Sequence, residues 1–261
     1  MSIVVNQLNN DVADRFSAAA SSYQAHDVLQ RIAAKHLLAQ MSENNAISNA
    51  CLLDIGCGPG TSFSSISTIK EVIGVDIAQG MLRTLKQGFP HYSALCADAQ
   101  NLPIANNAVE VIYSNVALQW CGSLAQAIAE ANRVLAFCGE FYGSIVAKNS
   151  LHQLTDLGLN VNSFLSETEI QDCFVAQDWQ IEHIETRAIT VFFDDLKSLL
   201  QSIKGVGAST VADKSKLNQR HVTLRGRGDW QKLVNQAELR RSPEGLPLTY
   251  NISFIKARKT R

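Results

Sequence analysis

The chain has 261 residues, 46% of them hydrophobic and 18% charged, which excludes a disordered protein and supplies enough apolar residues for one sizeable core. Its formal net charge of -1 gives no overall attraction to nucleic acid or to an anionic membrane, so we expect neither as a partner. No apolar run approaches the roughly 20 residues of a membrane span and the N-terminus lacks a signal-peptide block, which predicts a cytoplasmic protein.

The segment before the first predicted strand, 15–38, carries apolar residues at steps of three and four, which predicts a helix. It has no strand partner of its own, and we expect it to cap one end of a sheet. Tyr23, His26 and Gln30 would then face a cleft, with exposed helix side chains that have no role as the alternative.

An apolar strand ends in a glycine-rich loop within residues 51–61. Gly56, Gly58 and Gly60 supply positive φ angles and room for a ligand to touch the backbone. The apolar residues after Thr61 continue at helical spacing, so we predict that a helix begins there and offers the free N–H groups of its first turn to the ligand. A tight strand-to-helix turn without a ligand is the alternative.

A second buried strand, 71–76, ends on Asp76 about 20 residues beyond the loop, a spacing typical of nucleoside-binding βαβ units. A carboxylate at this place can accept from both hydroxyls of a ribose, and charge-assisted hydrogen bonds of that kind contribute about 1.5–3 kcal/mol each. Asp76 could also cap the helix that begins near Gln79, and the two roles are compatible.

Two further predicted strands, 93–97 and 109–115, lead into polar residues. Ligands of an open parallel sheet bind outside the carboxyl ends of its strands, so the residues at these ends are expected to converge. They are Gly56, Asp76, Asp98, Asn115 and Gln119.

The later part of the chain changes pattern after an alanine-rich helix, 124–135, and a fifth strand, 139–146. The segments 179–193 and 248–255 alternate like half-buried strands, which indicates an antiparallel hairpin at the sheet edge. Everything between these two strands, 194–247, is then an insertion and a candidate lid.

The six cysteines of the chain lie mostly inside or beside apolar segments and form no closely spaced pair that would ligate a metal. We therefore predict reduced packing residues and no metal site. Cys57, within the glycine loop, is interpreted as a small residue that fits there rather than as a nucleophile.

The glycine loop lacks the Gly-x-Gly-x-x-Gly spacing of dinucleotide sites and the Gly-Lys-Ser/Thr ending of triphosphate sites. Residues 53–60, Leu-Asp-Ile-Gly-Cys-Gly-Pro-Gly, instead resemble the first motif of the class I S-adenosylmethionine-dependent methyltransferases. The resemblance is strong over 54–146. It implies an α/β fold with a Rossmann-like sheet of seven strands, the last of them antiparallel, in agreement with the predicted hairpin.

Single positions of that family carry over to this chain as expectations. Asp76 matches the ribose-binding acid, Asp98 and Ala99 match the position next to the adenine, and Asn115 and Gln119 match the loop beside the transferred methyl group. The resemblance implies S-adenosylmethionine as cofactor and S-adenosylhomocysteine as product. The candidate cofactor-binding residues are Asp54, Gly56, Gly58, Gly60, Asp76, Ile77, Met81, Asp98, Ala99 and Asn115.

A closer resemblance, nearly end to end, is to the malonyl-acyl-carrier-protein O-methyltransferase family of biotin synthesis. It is carried by residues 15–23, 114–121, 202–208 and 246–250. The last two segments lie outside the cofactor core and are therefore informative about the substrate. The basic stretch 224–228 is looser than the family's usual form.

This resemblance implies methyl transfer to the free carboxylate of a malonyl group on the phosphopantetheine arm of an acyl carrier protein. A carboxylate with a reference pKa of about 4 is already ionised at neutral pH, so no general base is needed. Tyr23 and Gln119 are the candidate catalytic residues. Carrier proteins are acidic and the lid is rich in basic residues, so Lys204, Arg225 and Arg227 are candidates for contact with substrate or carrier. Trp120 is a further candidate, because it could close the cleft over the methyl group.

Two other functions stay open at this point. One is a methyltransferase for a small-molecule carboxylate or a quinone precursor, which would share the cofactor core, and the other is a protein that binds the cofactor without catalysis. A nucleic-acid methyltransferase is disfavoured, because 114–117 lacks the Pro-Pro-aromatic step expected for attack by a base amine and the net charge gives no phosphate footprint.

The sequence thus predicts a single methyltransferase domain over 1–261. Its predicted parts are the N-terminal cap helices 1–45, the cofactor-binding core 50–193, a mostly helical lid 194–247 between the last two strands, and the last strand and tail 248–261.

Overall fold

A computed structural model describes residues 2–42, 49–208 and 226–260. Arg225, one of the candidate contacts with substrate or carrier, lies outside the described residues.

The fold is built on one seven-stranded sheet with the order β3-β2-β1-β4-β5-β7-β6. The first five strands run parallel to one another, and β7 runs antiparallel to both β5 and β6. The strands are β1 (Ala50–Ile55), β2 (Ile69–Asp76), β3 (Ser93–Cys96), β4 (Val109–Asn115), β5 (Leu135–Val146), β6 (Trp179–Phe193) and β7 (Leu246–Lys259).

The described helices cover the sheet and form most of the described lid. They are α1 (Ser2–Ala19), α2 (Val28–Ser42), α3 (Gln79–Gly88), α4 (Leu124–Val134), α5 (His152–Asp156), α6 (Glu167–Gln171), α7 (Leu196–Gly205) and α8 (Arg227–Glu238). Two short 3-10 turns, Tyr23–Ala25 and Leu118–Trp120, interrupt the connections beside the carboxyl edge of the sheet. Within the parts of the chain described here, no helix is long and apolar enough to cross a bilayer.

The predicted fold class is confirmed, including the antiparallel last strand and the helices inserted before it. The prediction of strand 179–193 agrees with β6, because alternation of apolar and polar residues marks a strand with one covered face. The parallel strands are covered on both sides. Leu53 and Ile112 pack in one buried cluster with α4, and Leu52 and Val111 pack in another with α2 and α3.

The predicted helix after the glycine loop is wrong, because turns fill the chain up to the start of β2 at Ile69. Serines, threonines and β-branched residues crowd this stretch, and they are weak helix formers. Phe63 still reaches the core, at 2% exposure. The hydroxyl of Tyr92 accepts from the N–H of Phe63 at 3.2 Å and donates to the carbonyl of Thr61 at 3.2 Å, so a side chain satisfies backbone groups that a helix would have paired.

The N-terminal segment is also not the continuous helix that its spacing predicted. It breaks after Ala19 and resumes at Val28, with Tyr23 in the 3-10 turn between. The hydroxyl of Ser22 donates to the carbonyls of Ala19 at 3.1 Å and of Gly205 in α7 at 3.2 Å. Serine side chains compete with the helix for backbone hydrogen-bond partners. Here Ser22 favours the break, because the lid offers it the carbonyl of Gly205 as a partner.

Candidate cofactor and acceptor site

A cavity at the carboxyl edge of the sheet, called here the loop cavity, has a volume of about 730 Å³ including its open mouth. It is formed by the ends of β1, β2 and β4 together with α1 and the first 3-10 turn. Its lining residues are Val12, Phe16, Tyr23, Ile55, Gly56, Gly58, Val75, Asp76, Ile77, Met81, Ala97, Asp98, Ala99, Asn115, Val116, Ala117, Leu118, Trp120 and Cys121. Position and size are those expected of a ligand site in an open parallel sheet.

The glycine loop bends at residues with positive φ, 71° at Gly56, 52° at Gly58 and 101° at Gly60. The N–H groups of Gly56 and Cys57 both donate to the carbonyl of Val75, at 2.8 and 3.0 Å, which ties the loop to β2. A Cβ atom at Gly58 would lie 4.0 Å from the ring and hydroxyl of Tyr23, in the gap between loop and turn. This backbone therefore leaves space that a side chain would fill.

Asp76 lies at the end of β2 with both carboxylate oxygens already oriented by backbone donors. Oδ2 accepts from the N–H of Gly58 at 2.9 Å and Oδ1 from the N–H of Ala78 at 2.7 Å. Burial raises the pKa of Asp76, and these two hydrogen bonds oppose the rise. The N-cap residue of α3 is Ala78, which has no side-chain cap, so Asp76 lies two residues before the capping position. Each oxygen keeps a lone pair for a hydroxyl donor in the cavity.

Asp54 and Gly60 line a different depression, a polar cleft on the other side of the loop, while Gly56 lines both. Asp54 is 2% exposed. Its burial, and then the charge of Asp76, raise the pKa of the Asp54 carboxyl well above its usual range. Two buried carboxyls, one in β1 and one at the end of β2, favour a ligand with positive charge, because a nearby cation stabilises a buried carboxylate.

The remaining predicted cofactor contacts at the far side of the loop cavity come together as expected. Ile77, Met81, Asp98 and Ala99 all line it. The carboxylate of Asp98 accepts from the backbone N–H of Gln100 at 2.9 Å and from its side-chain amide at 3.2 Å, so this acid is held by the turn that follows β3.

A second cavity, called here the lid cavity, adjoins the first and has a volume of about 800 Å³ including its mouth. Residues of the core and of the lid build it together. Its lining residues are Phe16, Tyr23, His26, Val28, Leu29, Gln30, Val116, Gln119, Trp120, Val146, Leu151, Leu154, Asn162, Phe164, Val191, Phe193, Ser202, Ile203, Val206, Ala208 and Tyr250. Among these described residues there is no Lys or Arg.

Four side chains form the wall that the two cavities share: Phe16, Tyr23, Val116 and Trp120. The rings of Phe16 and Trp120 meet edge to face with centroids 5.5 Å apart. Burial and then the carboxylate of Asp76 raise the pKa of Tyr23, so its phenol stays protonated and acts as a hydrogen-bond donor. The shared wall is where a group in one cavity can meet a group in the other.

The end of α7 closes the lid onto the N-terminal segment at two glycines. A Cβ at Gly205 would overlap the ring of His26, and a Cβ at Gly207 would lie 3.0 Å from the ring of Phe16. Beside this contact a surface groove is lined by residues that include Arg15, His26 and Lys204. The lid therefore rests directly on side chains that line the lid cavity.

Two predicted site residues occupy places that differ from the expectation. Gln119 lines only the lid cavity, and its amide donates to the carbonyl of Val116 at 2.9 Å. Arg227, the first residue of α8, is exposed and lines neither the loop cavity nor the lid cavity.

Sequence reasoning missed several residues that line the cavities. Phe16 belongs to the segment 15–23, which carries part of the family resemblance, but its place in both cavities depends on the break after α1. Tyr250 and Phe193 reach the lid cavity from the ends of the edge hairpin, which no local pattern indicates. Cys121 faces the loop cavity, and burial raises the pKa of its thiol to about 12, which keeps it neutral. Within the described ranges, no three His, Cys, Asp or Glu side chains are grouped as metal ligands.

Comparison with known proteins agrees with this architecture. A family model described as a methyltransferase domain matches residues 53–143. A malonyl-acyl-carrier-protein O-methyltransferase from Methylovorus sp. strain MP688 is 30% identical over 94% of this chain and 86% of that protein. A protein of the same name from Pseudescherichia vulneris is 35% identical over 85% of this chain and 87% of that protein. The crystal structure of the YcgJ protein from Bacillus subtilis is similar in fold, with a TM-score of 0.57 and 18% identity over 87% of this chain and 99% of that one.

Proposed function

The chain belongs to the malonyl-acyl-carrier-protein O-methyltransferase family, and on that premise we propose that it transfers a methyl group from S-adenosylmethionine to the free carboxylate of malonyl-acyl carrier protein. The product would be the malonyl methyl ester that starts pimeloyl synthesis for biotin, with S-adenosylhomocysteine as the second product. The observation that carries this proposal is the match to relatives along nearly the whole chain, including the lid segment that helps to build the lid cavity.

The residues around the loop cavity fit S-adenosylmethionine. The cofactor supplies a methyl group on a positively charged sulfonium, and the buried acid Asp76 in the lining of this cavity suits a cationic ligand. Asp76 would accept from the ribose hydroxyls, and the open side of Gly58 leaves room beside the loop. Asp98, Ala99, Ile77 and Met81 would surround the base, since they line the far side of the same cavity.

The acceptor carboxylate would bind in the lid cavity against the shared wall. Because it is ionised at neutral pH, no side chain needs to remove a proton. Lys and Arg are absent from the described lining, so none of the described side chains would clamp the carboxylate as a fixed cation and reduce its nucleophilicity. Tyr23 would orient one oxygen through its protonated hydroxyl, and Gln119 and Trp120 would form the wall that excludes water.

We place the carrier protein on the lid near Lys204, because this exposed lysine and Arg15 line the groove next to the lid cavity and carrier proteins are acidic. Another basic residue of the lid, Arg241, is held by Glu238 at 2.6 Å and contributes less to such a surface. Lys204→Glu should raise KM for the carrier substrate with little change in kcat. Lys70→Glu, an exposed lysine near the opposite edge of the sheet, is the matched control. An equal rise in KM in both variants would contradict docking near Lys204.

The test of the function is transfer of radiolabelled methyl to four acceptors: malonyl-carrier protein, malonyl-coenzyme A, free malonate and a quinone precursor. We expect the carrier-bound substrate to have the highest kcat/KM. Preference for a free small acid or a quinone would refute the proposal, and cofactor binding without any methylated product would indicate a non-catalytic protein. Location in the cytoplasm stays a prediction of the sequence.

A further inference from the structure

The turn that follows β4 has a backbone conformation that its sequence does not favour. Val116 has a φ of 51°, in the left-handed region that β-branched residues rarely adopt. Its side chain is part of the wall between the loop cavity and the lid cavity. Such strain persists only where the surrounding structure holds it, so the residues that hold Val116 are of interest.

Ser144 on β5 holds this turn through its hydroxyl and its backbone carbonyl. Its hydroxyl accepts from the N–H of Val116 at 3.0 Å and donates to Oδ1 of Asn115 at 2.7 Å. Its carbonyl accepts from the same Val116 N–H at 2.9 Å. Ser144 is 0% exposed and lines neither cavity, so it acts on the site only through its neighbours.

The other side of the turn is confined as well. A Cβ at Gly56 would overlap the Cβ of Ala117, so the turn lies directly against the glycine loop. The side-chain amide of Asn115 donates to the carbonyl of Gln30 in α2 at 2.9 Å, which joins the turn to the N-terminal helices. The residues after β4 are thus fixed from β5, from the glycine loop and from α2.

We propose that Ser144 is a positioning residue for methyl transfer. It holds Asn115 and Val116 so that the 3-10 turn Leu118–Trp120 places Gln119 in the lid cavity and Trp120 in the shared wall. The proposal rests on the proposed function, because the alignment that it protects is that of methyl donor and acceptor.

The expected effect of losing the hydroxyl follows from this geometry. A small displacement of the shared wall misaligns the reacting groups and slows an in-line transfer, and misplacements of this kind cost about 10- to 100-fold in rate. Of the candidate cofactor contacts, the Ser144 hydroxyl touches only Asn115, whereas Asp76 and the glycine loop carry most of the expected cofactor contacts. The loss should therefore be larger in kcat than in cofactor affinity.

The experiment compares Ser144→Ala with Ser253→Ala. Ser253 on β7 pairs with Ile145, the residue after Ser144, and is also 0% exposed. Its hydroxyl lies 2.7 Å from that of Thr186 on β6, so this control loses a buried serine hydroxyl whose partner is in the edge hairpin and not in the turn. With malonyl-carrier protein, kcat of Ser144→Ala should fall about tenfold or more while the Kd for S-adenosylmethionine changes less than about twofold. Ser253→Ala should keep the wild-type kcat, and Ser144→Thr, which keeps the hydroxyl, should recover most of the loss.

Hydrogen exchange of the backbone amides in residues 114–121 measures how firmly Ser144 holds the turn, and it needs no methyl transfer. Exchange should become faster in Ser144→Ala and stay at the wild-type rate in Ser253→Ala. Glycine adopts positive φ without steric cost, so Ser144→Ala should reduce kcat less in a Val116→Gly background than in the wild type.

Wild-type kcat and exchange in Ser144→Ala would overturn the proposal, as would an equal loss of kcat in Ser253→Ala. If the wild-type protein does not methylate malonyl-carrier protein at all, the proposed function is refuted. The exchange measurement then still decides whether Ser144 holds the turn.

Discussion

Alanine at Gly58 tests whether the glycine loop leaves room for the cofactor rather than merely for a tight turn. Gly58 has a φ of 52°, and the nearest atoms to an added Cβ are 4.0 Å away on Tyr23. The loss in folding free energy is therefore only the cost of holding an L-residue in the left-handed region, about 1–2 kcal/mol. At about 2–4 °C per kcal/mol for a large domain, Tm of the ligand-free protein should fall by about 2–8 °C. The added methyl group occupies the gap beside the loop, so cofactor affinity should fall about tenfold, or about 1.4 kcal/mol.

Gly56→Ala is the matched variant, because it combines the same conformational cost with a clash. Gly56 has a φ of 71°, and its added Cβ would overlap that of Ala117. Overpacking of this kind adds about 1–3 kcal/mol, for a total of about 2–5 kcal/mol. The expected fall in Tm is then about 4–20 °C.

Circular dichroism melting of the ligand-free variants measures the first quantity, and calorimetric titration with S-adenosylmethionine measures the second. Equal melting temperatures for the two variants would refute the packing difference. Wild-type cofactor affinity in Gly58→Ala would refute the placement of the cofactor against this part of the loop.

Three further predictions concern single side chains of the site. Asp76→Asn should weaken cofactor binding by about 1.5–3 kcal/mol in calorimetry, whereas Glu71→Gln at the exposed start of the same strand should not. Asp54→Asn should raise Tm of the ligand-free protein at neutral pH. The folded-state pKa of Asp54 is raised, so its stabilising contribution is present in acid and lost as pH rises through that pKa. The advantage of Asn should therefore grow as pH rises above about 4, and a difference that stays constant with pH would contradict it. Tyr23→Phe should lower kcat/KM for the carrier substrate by about 10- to 150-fold with cofactor Kd unchanged, and a parallel loss in both would instead assign the hydroxyl to cofactor binding.

The strands and the acids at their ends were predictable because their causes are local. A buried parallel strand needs a continuous apolar run, and residues at its carboxyl end face the ligand edge whatever the loops do. Asp76, Asp98 and Asn115 therefore meet at one cavity, as predicted. The prediction of a helix after the loop was wrong for a reason that is also local. The apolar spacing there is helical, but serine and β-branched residues around Phe63 oppose a helix, and the hydroxyl of Tyr92 pairs with backbone groups of the turns instead.

The lid cavity was beyond prediction because it joins segments that are distant in sequence. Tyr23 reaches it only because the N-terminal helix breaks, and that break is supported by the contact of Ser22 with Gly205 in the lid. Tyr250 comes from the last strand and Ser202 from α7. No local pattern specifies contacts of this range, since they depend on how the lid packs on the N-terminal segment.

The sheet, the glycine loop and the acids at the strand ends follow from the amino-acid sequence, because periodicity, backbone freedom and spacing act within a few dozen residues. The contact between the loop cavity and the lid cavity depends on tertiary packing. The left-handed Val116, its hold by Ser144 and the shared wall at Tyr23 arise where β4, β5 and the N-terminal turn pack together. A β-branched residue keeps such a conformation only under tertiary contacts, so its place in the site is a property of the fold and not of the local sequence.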